Sequence, residues 1–168
     1  MENKALDKLH RGQIQFGDST FNPIKVSISQ FYGIEINDFA VTVAKTALWI
    51  AESQMMKETE NILHLNLDFL PLKSYTNIVE GNSLRLDWND VIPKEELNYI
   101  MGNPPFIGQA MRTKEQAKDI QDVFLPSKAG GKLDYVAGWF KKASDYMKLS
   151  NIETAFVSSN SICQRWVS

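Results

Sequence analysis

One cysteine and two histidines are all that the 168 residues offer of thiol and imidazole metal ligands. Cys163 cannot form an internal disulfide and reads as a small apolar filler, and with only His10 and His64 beside it there is no ligand cluster of zinc type. Long apolar runs are missing too. None approaches the roughly 20 residues that cross a membrane, and Met1, Glu2, Asn3 and Lys4 lead into no signal-peptide core. A cytoplasmic chain with no membrane partner is expected. Nor does either sign of charge dominate: 18 Lys and Arg stand against 20 Asp and Glu, a net charge of −2. A polypeptide that grips duplex DNA unaided shows a basic face, because phosphate neutralisation dominates affinity. No such surplus exists here.

What is present is a globular composition, 43% hydrophobic and 23% charged, in a chain long enough for one domain and too short for two of ordinary size. Its most informative stretch is 97–108. An apolar run over 97–101 ends in Gly102 and then in Asn103, Pro104, Pro105 and Phe106, the pattern of a buried strand stopping at a rigid loop. Each proline fixes its own φ, removes a donor and pushes the residue before it into an extended conformation, so Asn103 and Pro104 have little choice. Two acceptors held that way, the Asn103 side-chain oxygen and the Pro104 carbonyl, suit an exocyclic amine whose flat ring lies against Phe106. Adenine N6 fits. Accepting both amino hydrogens exposes the nitrogen lone pair to an electrophilic methyl group, with no general acid or metal required. A proline-rich turn after a core strand would show the same residues.

Residues 1–30 carry a weak signal and are expected to form a connection. Residues 31–36 are a β-prone run containing Glu35 and Ile36, with Asn37 and Asp38 as helix caps. Phe39, Val43, Ala47 and Ile50 then recur at helical spacing, which predicts an amphipathic helix over 38–58 with that face inward and with Trp49, Met55 and Met56 as packing residues. Strand, acid, helix is the order of a nucleotide-binding βαβ unit, where a carboxylate at the strand's end can accept from both hydroxyls of a ribose. Glu35 could equally cap the helix or stay solvated. A short strand over 76–80 runs into Gly81, Asn82, Ser83 and Leu84, for which a turn-forming Asn beside Gly is the plain reading.

Downstream, Thr113 and Gln116 offer a capping box for a helix near 114–123, and Arg112, Lys114 and Lys118 are available for phosphates or simply exposed. Gly130 and Gly131 read as a hinge. Residues 132–148 return to helical spacing, with Leu133, Val136, Phe140 and Met147 inward and Lys141, Lys142 and Lys148 outward. A further buried strand is expected over 154–158.

Asn-Pro-Pro-Phe after a strand resembles the catalytic motif of S-adenosylmethionine-dependent DNA adenine-N6 methyltransferases. The surrounding residues, over 31–164, are similar to the methyltransferase part of large bacterial restriction-modification enzymes that carry nuclease, methyltransferase and target-recognition regions in one chain. The resemblance implies an α/β fold with a partial Rossmann-like class I methyltransferase sheet and flanking helices. Residues 1–30 would be a connecting segment and 31–168 the central, incomplete part of the catalytic domain. It implies Asn103, Pro104, Pro105 and Phe106 as the catalytic set, no metal, and double-stranded DNA as a partner through a longer parent protein. S-adenosylmethionine is the implied cofactor, its ribose on Glu35, its adenine against Ile36 and its amino group at the turn of Asn82 and Ser83. Asp is commoner at position 82 in the family, but an amide oxygen can still accept. Asp134 would stand beside the methyl-donor pocket, although a first-turn carboxylate also suits the helix dipole. Protein-glutamine and some RNA methyltransferases share the motif, so a protein or RNA acceptor, or a noncatalytic nucleotide-binding module, is the alternative.

A Gly-rich loop of the type Asp-Pro-Ala-Cys-Gly-Ser-Gly is absent. In the family that loop follows the first strand and wraps the methionine part of the cofactor. The first strand itself lies between the strands ending at Glu35 and Met101. The expectation is therefore a gap or two open edges in the sheet, self-association through them, and little activity from this chain alone.

Overall fold

Four short strands alternate with helices in the computed structural model, which describes residues 26–64 and 77–160. Strand β1 (Tyr32–Glu35) leads into the long helix α1 (Asp38–Leu63) and then β2 (Asn77–Glu80). Strand β3 (Tyr99–Gly102) is followed by α2 (Lys114–Val123), α3 (Ala137–Tyr146) and β4 (Glu153–Phe156). β1 pairs in parallel with β2, Tyr32 opposite Asn77 and Glu35 opposite Glu80. β3 pairs in parallel with β4, Tyr99 opposite Glu153 and Gly102 opposite Phe156. Parallel neighbours need a crossover, and α1 supplies one while α2 and α3 supply the other. The fold is mixed α/β.

Among the described residues no ladder joins the two strand pairs. A cleft of about 1650 Å³ opens between β1 and β3. Every residue of both strands lines it, not alternate residues, so the strands present their edges to it and not a face. The gap expected beside these two strands falls here.

Asn37 starts α1 by accepting from the Ala40 N–H at 3.0 Å, and the helix runs beyond the predicted end to His64, whose φ of 52° closes it. Its buried face is not the expected one. Phe39, Val43 and Ile50 are 72, 50 and 45% exposed, and Ala47 is exposed as well. Val41 is buried instead, with Ala44, Leu48 and Met56 half-buried, where the helix packs on β1 and β2. Apolar residues occupy both sides of α1, so the helical period has two acceptable phases. The narrower side chains of Val41 and Ala44 allow the closer approach to the strands. Of the three residues read as packing, Trp49 and Met55 are exposed and only Met56 is half-buried.

Residues 26–30, expected as mere connection, are built into the fold. Ser27 caps the 3-10 turn Ile28–Gln30, the Ile28 N–H donates to Glu52 Oε1 at 3.0 Å, and Asn77 Nδ2 donates to the Ser29 carbonyl at 2.9 Å. Residues 1–25 and 65–76 lie outside the described residues, and so does Cys163.

Helix α2 begins on the predicted capping box, the Gln116 N–H donating to Thr113 Oγ1 at 3.2 Å and the Thr113 N–H to Gln116 Oε1 at 3.0 Å. α3 begins later than expected, because residues Lys128–Lys132 form a 3-10 turn. Gly130 in that turn is no hinge. It is buried, and a Cβ there would lie 2.6 Å from the Ile120 carbonyl oxygen. Arg112 donates to the carbonyls of Leu133 and Gly130, and so ties this turn down where a phosphate contact was considered. Lys142 also departs from its expected outward position. Its Nζ donates to the carbonyls of Leu84, at 3.0 Å, and Leu86, and lies 5.9 Å from the centre of the Trp88 ring. Burial pushes its pKa down.

Trp88, Ala143, Tyr146 and Ile152 form a buried cluster on which Ile34 of β1, Ile100 of β3 and Phe156 of β4 all pack. This cluster is what holds the two strand pairs together, each large apolar side chain contributing about 1.5–3 kcal/mol when fully buried. Its polar atoms are satisfied: Tyr146 donates to the Ile92 carbonyl at 2.6 Å and Trp88 Nε1 to the Ser83 carbonyl at 2.9 Å. A second cluster of Leu84, Ile120 and Tyr135 lies under the loop after β3, through Ile107.

Candidate active site

Parallel pairing puts the carboxyl ends of paired strands on one side, which is where open α/β sheets bind ligands. Glu35 ends β1 and Ile36 follows it, Gly81 to Ser83 follow β2, and Asn103 to Pro105 follow β3, and all of them line the one cleft. The Gly81 N–H donates to the Glu35 carbonyl at 2.8 Å, which holds the first two turns side by side. Glu35 is half-buried, and its Oε1 accepts from the Asn37 N–H at 3.2 Å. The carboxylate thus supports the local turn with one oxygen, and Glu35 lines the cleft. Ile36 is 69% exposed beside it, an apolar edge without packing of its own.

The turn after β2 is held at both ends of one amide. Asn82 Oδ1 accepts from the Leu84 N–H at 2.9 Å, and Asn82 Nδ2 donates to Asp119 Oδ2 at 2.9 Å. Asp119, in α2, is buried at 6% exposure. A buried carboxylate must be paired, and Arg85 pairs it with two bonds, Nε to Oδ1 at 2.7 Å and a terminal nitrogen to Oδ2 at 3.1 Å. The Tyr135 hydroxyl points at the same Oδ2 from 3.5 Å. Hydrogen bonding to Asp119, then its charge, raises the Arg85 pKa, and burial followed by the Asp119 charge raises that of Tyr135.

Asn103 is exposed, Pro104 buried and Pro105 exposed. The loop is anchored on both sides: the Val157 N–H donates to the Gly102 carbonyl at 3.0 Å, and the Tyr135 N–H to the Ile107 carbonyl at 3.1 Å. Among the described residues nothing hydrogen-bonds the Asn103 side chain or the Pro104 carbonyl. The Asn103 amide is thus exposed and unbonded, and Pro104 lines the cleft as a buried residue.

Two predicted positions stand apart. Phe106 is 46% exposed and is not in the cleft wall. Asp134 accepts from the Val136 N–H at 3.3 Å, the local helix-start role, and the neighbouring Tyr135 lines the cleft in its place. Asp119 and Arg85 were not singled out from sequence. Their pairing spans 34 residues and leaves no local signal. Among the described residues no three His, Cys, Asp or Glu side chains converge as a metal site, and no helix is long and apolar enough to cross a membrane.

Residues 1–166 match a family model described as MmeI, DNA-methyltransferase domain. Over 167 residues the chain is 41% identical to DNA methyltransferase A of Bacillus subtilis (strain 168), covering 98% of this chain and 19% of that relative. A solved structure of the Type IIL restriction-modification enzyme MmeI in complex with DNA superposes with a TM-score of 0.81 at 37% identity, over 95% of this chain and 22% of that one. The chain spans about a fifth of the length of the relatives it matches.

Proposed function

The chain belongs to the MmeI DNA-methyltransferase domain family, and from that premise we propose that it forms the central part of the methyltransferase region of a longer restriction-modification protein. The reaction is transfer of a methyl group from S-adenosylmethionine to N6 of an adenine flipped out of duplex DNA. The observation that carries this reading is the single cleft wall. It combines the carboxylate at the end of β1, the amide turn after β2 and two unengaged oxygens after β3. DNA is favoured over a protein or RNA acceptor by the name of the curated relative and by the DNA complex of the solved one. A Rossmann-like class I sheet is favoured by the parallel pairs with helical crossovers, and a cytoplasmic location goes with the same reading.

The donor set in the cleft fits the nucleoside half of the cofactor. Glu35 has an oxygen free for ribose hydroxyls, Ile36 offers an apolar edge to a purine, and Asn82 Oδ1 keeps one lone pair after the bond from Leu84. Bound there, S-adenosylmethionine supplies an electrophilic methyl on a sulfonium. The remaining work belongs to the chain. Asn103 Oδ1 and the Pro104 carbonyl accept the two N6 hydrogens of the target base and leave the nitrogen lone pair free, while the two prolines keep those oxygens from turning away. Phe106, exposed on the same loop, offers a stacking face to the extruded base.

Calorimetric titration of the chain with S-adenosylmethionine, alongside Glu35→Ala, tests the reading. Saturable binding weakened by the substitution is expected; binding that Glu35→Ala leaves unchanged would remove Glu35 from the site. The open edges of β1 and β3 also offer a route to self-association. Gel filtration would show it as an apparent mass that rises with concentration, and a constant monomer mass would refute it.

A further inference from the structure

We propose that Asp119 is the positioning residue of the cofactor pocket. It holds Asn82 in one of its two amide orientations and thereby selects a purine bearing a 6-amino group over one bearing a 6-oxo group. The inference rests on the cofactor reading above and adds to it a residue from another element, together with a rule for what may stand at position 82.

The argument is one of donors and acceptors. An ionised carboxylate can only accept. Arg85 fixes the Asp119 carboxylate by donating to both its oxygens, at 2.7 and 3.1 Å, and the group is nine-tenths buried and cannot turn to solvent. Whatever faces Oδ2 at 2.9 Å must donate, so Asn82 presents Nδ2 to it. Its Oδ1 then points the other way, where the Leu84 N–H takes one lone pair and the second is left for the cleft. A donor on the ligand is welcome there and an acceptor is not. An aspartate at 82 would set two carboxylates against each other with one guanidinium between them. The amide at position 82 and the carboxylate at 119 therefore belong together.

Changing Asp119 to Asn reverses the logic. Arg85 Nε, which makes the shorter of the two bonds, keeps the amide oxygen, so the new NH2 turns towards Asn82 and the bond from the Arg85 terminal nitrogen is given up. Two donors now meet, and Asn82 is driven to rotate, offering Nδ2 to the cleft. Restoring the arrangement requires the carboxylate to move across, as in Asn82→Asp with Asp119→Asn. In that double exchange the amide introduced at position 119 donates, and the carboxylate introduced at position 82 accepts from it, from the Leu84 N–H and from the ligand.

The test is calorimetric titration of the chain with S-adenosylhomocysteine and with its 6-oxo counterpart, S-inosylhomocysteine, for wild type, Asp119→Asn and the double exchange, with circular dichroism confirming that each is folded. Wild type should prefer the amino compound by about fivefold to tenfold, the worth of one hydrogen bond. Asp119→Asn should erase or invert that preference, and the double exchange should restore it. Equal weakening of both ligands by Asp119→Asn, with the ratio kept, would mean a purely structural role and would overturn the inference while leaving the cofactor reading intact. Should the wild-type chain bind neither ligand, the same titrations in a protein of the length of its relatives decide, and no binding there would remove the cofactor reading and this inference with it. Should Asp119→Asn fail to fold, the double exchange decides: a wild-type ratio upholds the inference, and a lost ratio in a folded protein refutes it.

Discussion

Replacing Gly130 by alanine asks for space that the fold does not contain. The added carbon would lie 2.6 Å from the Ile120 carbonyl oxygen and 3.2 Å from the Phe124 Cβ. Ordinary contact begins near 3.4 Å, so the 3-10 turn and the end of α2 must part by about 0.8 Å. Neither obstacle is the free end of a flexible side chain. Ile120 is fully buried, its carbonyl accepts from the Phe124 N–H at 3.3 Å, and Arg112 bonds the Gly130 carbonyl, so any parting disturbs both. Overpacking of this kind costs about 1–3 kcal/mol. The smaller unfolded ensemble of alanine returns about 0.4–1 kcal/mol. A net loss of about 1–2 kcal/mol follows, which for a chain of this size lowers Tm by roughly 2–8 °C. Urea denaturation followed by circular dichroism should show a lower midpoint at unchanged slope. Gly131→Ala is the control, since its Cβ would meet only the end of the Gln121 side chain, at 3.4 Å. Equal midpoints for the two variants would refute the close-approach reasoning and return these glycines to the role of a hinge.

Asn103→Ala should leave stability within about 0.5 kcal/mol, because the side chain is exposed and unbonded among the described residues. In a protein of the length of its relatives it should lower methyl transfer to DNA by at least about 100-fold, with donor affinity hardly changed; a loss of donor affinity with transfer preserved would invert the assignment. Acid should weaken the fold through two aspartates. Asp145 is held low by the Lys141 bond and then by Lys148, and Asp87 by the Asn89 backbone N–H and then its side chain. Both folded pKa values lie below the unfolded ones, so their contribution is fully present above about pH 4 and is lost as pH falls through the folded values. Both groups are well exposed, so the effect is modest and screened by salt. Urea midpoints measured from pH 5 downwards should fall, and a midpoint independent of pH would contradict the assignment.

Much of this was legible in the residues, and what was not has physical causes. The four strands and the capping box of α2 depend on local patterns, and the structure has them within two residues of the predicted ends, but β3 and β4, expected as buried strands, are mostly exposed, since among the described residues each is paired on one edge only. The loop of Asn103 to Phe106 was readable because prolines dictate backbone shape without help from elsewhere. The inward face of α1 was not, since the helix is apolar on both sides and only the strands beneath it choose between Val41 and Phe39. Lys142 looked outward by period, yet two chain carbonyls and the Trp88 ring, more than 50 residues away, draw it in. Asp119 was invisible for the same reason. A charged residue inside a polar helix reads as solvated until Arg85 and Asn82 are brought to it.

The two strand pairs share no ladder bond among the described residues; the side chains packed around Trp88 join them, together with the bonds of Asn82 and Arg85 to Asp119 and the packing of Leu84 beneath Ile107. Side-chain packing yields more readily than a hydrogen-bonded sheet. The cleft's two halves, one resting on β1 and β2 and the other on β3, are therefore joined by side chains and not by a ladder. By reciprocity, any factor by which a ligand on the first half changed affinity for a ligand on the second would apply equally in return.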